Sequence, residues 1–358
     1  MTLVNRLSSY GAISTELALL NDQRLMPLLE NAEHHGKSIG GKTALLDIAG
    51  HKVFVKKIKL TDIERQPEHI MSTANFFKLP LYYQYGVGST GFGAWRELSA
   101  HIMSTNWVIA GECPNFPLMY HWRILPSPMM QPSTEATQEL EQEVTYWNNS
   151  STVHQRLHAI QNASAEIVLF LEYFPENVYQ WLGQELTKDS KSAEAACTMV
   201  DHNLSAINNF INSRGFIHFD AHVWNILTDG TQLYLSDFGL ALSSQFELTD
   251  EERDFFKTHQ YYDQCTTAFF LTNFILEALL KQESCPDILS QYQTEEYKKL
   301  ISPPIDKIIS RCMPISQLIS DFFKQLKITS KLTPYPADEL NRLVTTTNPI
   351  QKPILSKD

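Results

Sequence analysis

The stretch "GFIHFDAHVWNILTDGTQLYLSDFGLA", residues 215–241, limits what the chain can fold into more than any other. Its apolar runs are too short for a helix or long strands, and read as a short strand pair with polar loops around it. Three hard-oxygen side chains fall in those loops: Asp220, Asn225 five residues later, and Asp237 after the last apolar run. Just upstream, "ACTMVDHNLSAINNFINSRG" sets Val200, Leu204, Ile207 and Ile211 at helical spacing, and Gly215 stands where a helix C-terminal glycine belongs. A helix must therefore feed a loop, a strand pair and a second loop.

The rest of the chain changes character along its length. Strand signals and glycines dominate before the Pro-, Ser-, Thr-, Asn- and Gln-rich stretch 126–155, and helical periodicity dominates after it. "TALLDIAGHKVFVKKIKL" reads as a hairpin turning at "AGH", and "FPLMYHWRIL" and "EIVLFLEYF" as two further strands. Stretch 126–155 reads as an insertion, a mobile loop-and-helix excursion. In "FELTDEERDFF", Thr249 with Glu252 three residues on is a capping-box start to another helix. These signals give an α+β chain with a β-rich first part and a mainly helical second part.

Charge and cysteine usage narrow the partners. With a formal net charge of -11, the surface does not invite nucleic acid or an anionic membrane. The five cysteines are scattered and never C-x-x-C, so neither a disulfide framework nor a zinc site is expected, and a reducing cytoplasm is. The start, "MTLVNRLSSYGAIS", lacks a basic region followed by an apolar run. The most apolar segment, "CTTAFFLTNFILEALL", contains Asn273 and Glu277, is too short to span a bilayer, and reads as a core helix.

Phosphoryl transfer to a hydroxyl needs a carboxylate to orient the acceptor and take its proton, and oxygen ligands for Mg²⁺. Asp220 suits the first role, Asn225 and Asp237 the second. At this point the chain resembles the protein-kinase-like superfamily, protein kinases and related small-molecule kinases. "HFDAHVWN" is similar to the catalytic loop H-R-D-x-x-x-x-N, and "SDFGLA" carries D-F-G. "VFVKKIKL" resembles the V-A-I-K strand, which implies Lys56 as the phosphate-pairing lysine. "WRELSAH" resembles the helix that supplies its glutamate, Glu97. "LFLEYFPENVYQWL" resembles the adenine-holding strand end, near Glu172 and Phe174. Lys56 shares a strand face with Phe54 and Ile58, an apolar setting that favours a partner for the charge.

The departures bear on regulation and acceptor. Phe219 stands where the family has the arginine that couples to a phosphorylated activation loop. Asp220-Ala221-His222 gives the D-x-H-x-x-N form common in small-molecule kinases. No A-P-E follows D-F-G, and Thr249 starts a helix soon after Gly239, which leaves little room for a peptide-docking loop. Phe54, in the slot usually held by alanine, should reshape the adenine pocket. Asp263 reads as a satisfied polar residue on a helix rather than as a brace for the catalytic loop.

Two glycine motifs compete with this reading. "GKSIGGKT", residues 36–43, spells a P-loop, which needs an apolar strand before it and a helix opening at Lys42-Thr43. The preceding "DQRLMPLLENAEH" looks helical, and Gly50 would break a following helix. "YGVGSTGFGAWRE" contains Gly86-Val87-Gly88-Ser89-Thr90-Gly91, a G-x-G-x-x-G after strand-like "LYYQY". It falls after Lys56, whereas the glycine loop of a kinase precedes its lysine strand. The reading is a flexible loop leading into the Glu97 helix. Gly40 and Gly41 then remain as the glycines near phosphate.

The resemblance implies a two-lobed protein-kinase-like fold using ATP and Mg²⁺, with a β-rich N-lobe and a mainly helical C-lobe. It divides the chain into a helical extension over 1–35, an N-lobe over 36–173 with an insertion near 126–165, a C-lobe over 174–330 and an appendage over 331–358. The implied activity is transfer of the ATP γ-phosphoryl to a hydroxyl of a protein or small molecule, with protein Ser/Thr the slightly favoured label. A small-molecule kinase of the aminoglycoside or fructosamine type and a nucleotide-binding pseudokinase scaffold are the alternatives.

Overall fold

The computed structural model describes residues 2–38, 41–127, 133–281, 288–292, 294 and 301–347, with the backbone alone at 34–38, 41 and 42. The chain is α+β, and it divides into two compact units. The first is Met1–Tyr173 with Phe238–Arg253; the second is Phe174–Asp237 with Asp254–Asp358.

The first unit begins with helices α1 (Leu3–Leu19) and α2 (Asp22–Glu30), started by the Thr2 and Asn21 side chains accepting from backbone N–H groups of the first turn. Strands β1 (Glu33–Ser38), β2 (Gly41–Ile48) and β3 (His51–Leu60) follow. Helix α3 (Ala94–Ile109), strand β4 (Met119–Pro126), helices α4 (Thr134–Tyr146) and α5 (Ser151–Gln161) and strand β5 (Ala165–Glu172) complete its regular elements up to Tyr173. The strands form one antiparallel sheet in the order β1-β2-β3-β5-β4. Ala49 and Gly50, both at positive φ, close the expected hairpin between β2 and β3. The apolar "AEIVLFLE" is buried throughout, as an unbroken apolar run predicts for a strand covered on both faces. Ile58, Leu60, Ile167, Leu169 and Leu171 of the sheet share a core with Trp95 and Leu98 of α3, which lays that helix on the Lys56 face.

No side chain of the N-cap residue, Gly93, serves the start of α3. Glu64 does so instead: Ala94 N–H donates to its Oε1 at 2.7 Å, and Arg156 Nη1 donates to its Oε2 at 3.0 Å. Burial opposes ionisation of Glu64, but Arg156, the Thr61 hydroxyl and backbone N–H groups together hold its carboxyl below the ordinary range. The insertion is ordered over its helices. Val144 and Trp147 from the α4 end, with Val153 and Leu157 of α5, pack with Phe77, Leu79, Tyr83 and Phe92. Its dilute apolar residues meet only after the helices turn back on each other, so composition alone suggests a loose excursion.

The second unit carries β6 (Glu176–Asn177), α6 (Val178–Thr187), α7 (Ser190–Ser213), β7 (Phe216–Ile217), β8 (Ile226–Thr228) and β9 (Leu233–Leu235). Strands β6, β8 and β9 form a small antiparallel sheet in the order β6-β8-β9. Helix α8 (Asp250–Thr258), counted with the first unit up to Arg253, starts at the expected capping box, in which Thr249 N–H donates to Glu252 Oε2 and Glu252 N–H to Thr249 Oγ1. Helix α9 (Tyr262–Leu280) packs with the helices Pro303–Ile328 and Ala337–Thr347. Leu340 and Val344 are buried with Cys265, Ile315 and Ile319, so this part of the expected appendage belongs to the core. Cys113, Cys197, Cys265 and Cys312 are free and buried, and burial pushes the Cys197 and Cys265 thiols up to about 12. Among the described residues no helix is long and apolar enough to cross a membrane.

Candidate functional site

In the first unit the sheet and α3 bring Lys56 and Glu97 together. Lys56 Nζ lies 2.8 Å from Glu97 Oε1, and both side chains are over nine-tenths buried. Lys56 stands on β3 opposite Leu169 of β5, so the apolar sheet fixes its stem. His101, one turn along α3, places Nε2 4.0 Å from the same carboxylate oxygen. A buried pair of this kind is costly to desolvate and is held only where its geometry is fixed.

In the second unit the loop 218–225 closes on itself. Asn225 Nδ2 donates to Asp220 Oδ2 at 3.0 Å and to the Asp220 carbonyl at 3.1 Å, while His222 N–H returns to that carbonyl at 2.9 Å. His222 Nε2 sits 3.6 Å from Asp220 Oδ1. With Nδ2 committed to Asp220, Oδ1 is the atom Asn225 can offer a cation. Ser236 joins Asn225 to the second motif: its N–H and Oγ donate to the Asn225 carbonyl at 3.0 and 2.7 Å. Ile226 pairs with Leu235 across β8 and β9, so Asn225 and Asp237 stand at the same end of one ladder. Asp237 is left-handed, φ 63°, a conformation a non-glycine residue adopts only when its surroundings impose it. Among the described residues no group of three or more His, Cys, Asp or Glu converges as a metal site. One carboxylate and one amide oxygen are donors of the hard kind that Mg²⁺ takes.

His218 is fully buried and supports the loop. Asp220 N–H donates to its Nδ1 at 3.2 Å and its Nε2 donates to the Ser236 carbonyl at 2.9 Å, which assigns the ring proton to Nε2. Beneath it lies Asp263, where sequence reasoning went the other way. Its carboxylate is buried in α9 and accepts from His218 N–H at 2.6 Å and Phe219 N–H at 2.9 Å, so it does brace the loop. Burial pushes its carboxyl up to about 7, against those two donors. The only hint in the sequence was a lone aspartate on an apolar helix. Phe219 is also left-handed, φ 65°, and its ring packs among Phe255, His259 and Tyr262, with centroids 5.7, 5.9 and 4.6 Å away. The side chain that stands where the resemblance would put an arginine is a core residue.

Glu172 and Phe174, the residues expected to hold adenine, are counted in different units. Glu172 ends β5, but its N–H donates to the Leu118 carbonyl at 2.8 Å. Its side chain takes Arg6 of α1 in a fork, Nε to Oε1 at 2.9 Å and Nη2 to Oε2 at 2.7 Å. Phe174 is counted with the second unit, where its ring lies 4.0 Å from that of Tyr234. Gly40 lies outside the described residues, and Gly41 opens β2 opposite Ser38 of β1. The chain from Gly41 is therefore a strand, not the helix a P-loop needs; Glu33 and His34, expected to end a helix, instead open strand β1. The dinucleotide motif loses its strand, since "LYYQ" forms a 3-10 turn over Leu81–Gln84. Its glycines lead into α3, as expected of a loop before the Glu97 helix.

The chain matches no model of a known protein family and no curated protein sequence.

Proposed function

We propose that the chain is an ATP-dependent phosphotransferase of the protein-kinase-like type, which moves the γ-phosphoryl of ATP to a hydroxyl acceptor. The observation that carries this reading is the closed loop 218–225, which joins Asp220 to Asn225 and, through Ser236, sets Asp237 at the same ladder end. In the first unit, the buried Lys56–Glu97 pair is the lysine–glutamate pair that the reaction requires of this class. The antiparallel sheet bearing that lysine, and the helical character of the second unit, support a two-lobed kinase-like fold.

Asp220 orients the acceptor hydroxyl. Asn225 fixes the carboxylate through Oδ2, and Oδ1 takes the acceptor proton. Asn225 Oδ1 and the Asp237 carboxylate hold Mg²⁺, which supplies charge neutralisation at the transferred group. Lys56, held by Glu97, pairs with the nucleotide phosphates. His218 supports the loop from its neutral ring.

A small-molecule acceptor is favoured by one further observation. Trp224 is 51% exposed, immediately before Asn225, and its ring lies 3.6 Å from that of Tyr179 at 20°. Tyr179 N–H is bonded to the Val223 carbonyl at 3.1 Å, so the stack is fixed to the Asp220 loop. An exposed, rigid aromatic platform suits the face of a ring-bearing alcohol. Protein incubated with γ-labelled ATP, Mg²⁺ and a cell lysate should pass label to the small-molecule fraction. Label confined to protein would refute the small-molecule acceptor; no transfer to either fraction, with no ATP turnover, would refute the enzyme and leave the nucleotide-binding scaffold.

A further inference from the structure

The stretch Phe238–Arg253, which begins inside D-F-G, belongs to the first unit and is bonded there along its length. Phe238 is fully buried, edge-on to His101 of α3 with centroids 4.8 Å apart. The Gly239 carbonyl lies so close to Gly91 that a Cβ there would come within 2.1 Å, and Gly91 has φ +73°, so only glycine fits. Gln84 Nε2 donates to the Leu240 carbonyl. Glu247 N–H donates to Thr73 Oγ1 at 2.8 Å, and Ser72 Oγ donates to Glu247 Oε2 at 2.7 Å.

The strongest of these contacts is charged. Arg96, the residue before Glu97, donates through Nη2 to Glu252 Oε1 at 2.6 Å and through Nε to the Thr73 carbonyl at 2.7 Å. Its guanidinium lies 5.1 Å from the Phe92 ring centroid and 5.9 Å from that of Phe246. Both Arg96 and Glu252 are 2% exposed. The second Glu252 oxygen accepts the Thr249 N–H at 3.0 Å, so the capping box holds the carboxylate in place for the arginine.

We propose that Arg96 and Glu252 are positioning residues: the Phe238–Arg253 stretch is a fixed strut that sets the rotation of α3, and through it the carboxylate that holds Lys56. Arg96 and Glu97 are consecutive, about 100° apart on one helix, so α3 cannot turn one without turning the other. Giving up the Arg96–Glu252 contact parts two buried opposite charges held at 2.6 Å, which opposes any swing of the helix. The anion that anchors α3 is a carboxylate encoded in the chain, so no phosphorylation of this stretch is needed to assemble the Lys56–Glu97 pair. The proposal rests on the nucleotide reading above.

The test is steady-state Mg·ATP turnover and calorimetric Mg·ATP binding on the full chain, with folding followed by circular dichroism. Glu252→Gln keeps the size and one acceptor but drops the charge, and should raise KM and Kd for ATP by roughly 2- to 30-fold. Arg96→Lys keeps the charge, loses the fork, and should do the same. Thr73→Val, which removes only the hydroxyl that holds Glu247 N–H, should move both constants in the same direction by less, and serves if the charge variants do not fold. Leu340→Ala, in the core of the second unit, should lower Tm with both constants unchanged. Constants unchanged in the folded Glu252 and Thr73 variants would overturn the strut and leave the nucleotide reading standing. No Mg·ATP binding by the wild type would overturn both.

Discussion

Phe219 shows how one side chain decides what kind of control a loop can have. Its left-handed backbone is held by the bond from its N–H to Asp263 Oδ1 and by an aromatic cluster around its ring. An arginine there would have to bring its guanidinium out of water into the rings of Phe255, His259 and Tyr262. Phe219→Arg should therefore destabilise the second unit by about 3–5 kcal/mol, the scale of an uncompensated buried charge, read as a shift in urea midpoint. A variant as stable as the wild type would show that the site admits water. Glu97 is the opposite case, a charge with a partner. Glu97→Ala removes the carboxylate 2.8 Å from the buried Lys56 ammonium, and should cost about 3–5 kcal/mol in the same measurement. The Lys56–Glu97 contact was legible in the sequence because a lysine among apolar neighbours demands a partner and the motif order supplies one. Asp263 was not legible, because its two backbone donors lie some forty-five positions upstream and leave no pattern in its own helix.

At the scale of elements, α1 is pinned to the end of β5. Arg6 is buried, forks onto Glu172, and donates to the Pro114 and Phe116 carbonyls at 2.6 Å each. Local pattern puts Glu172 at a strand end, but its partner Arg6 lies 166 positions away, beyond the reach of any local period. The expected N-terminal extension is thus part of the first unit. Removing one partner alone should be severe: Arg6→Ala is expected to lose about 3–5 kcal/mol, whereas the double change Arg6→Leu with Glu172→Leu should recover most of it. Thermal unfolding of the three variants decides this; additive losses in the double variant would mean the fork contributes nothing specific. The β2–β3 hairpin and the Thr249–Glu252 capping box were readable because both are local. The α4–α5 pair was not, since its apolar residues become a core only against Phe77, Tyr83 and Phe92.

At the scale of the whole molecule, stability against pH carries two opposed contributions from buried groups of the second unit. Asp263 titrates at about 7 in the folded chain against an ordinary 3.8, so its contribution is complete at low pH and is lost as pH rises from about 4 to about 7. His259, lowered by burial to about 4 from 6.5, contributes fully above 6.5 and loses that contribution as pH falls toward 4. In urea titrations across this range, the wild type should lose ground to Asp263→Asn as pH rises, and should gain ground on His259→Asn. Parallel curves for either variant would contradict the corresponding assignment. The division into units is written into connectivity, with Asp237 counted in one and Phe238 and Gly239 in the other. That split was not visible in a motif three residues long.

Asp220, Asn225 and Asp237 are proposed to serve phosphoryl transfer from Mg·ATP to a hydroxyl. The most direct measurement is release of γ-labelled phosphoryl from ATP, with and without Mg²⁺, by the wild type and by Asp220→Ala. Mg²⁺-dependent transfer is expected of the wild type, with a fall of at least about 10²-fold in the variant, the usual scale for losing a positioned general base. Full transfer by folded Asp220→Ala would contradict it.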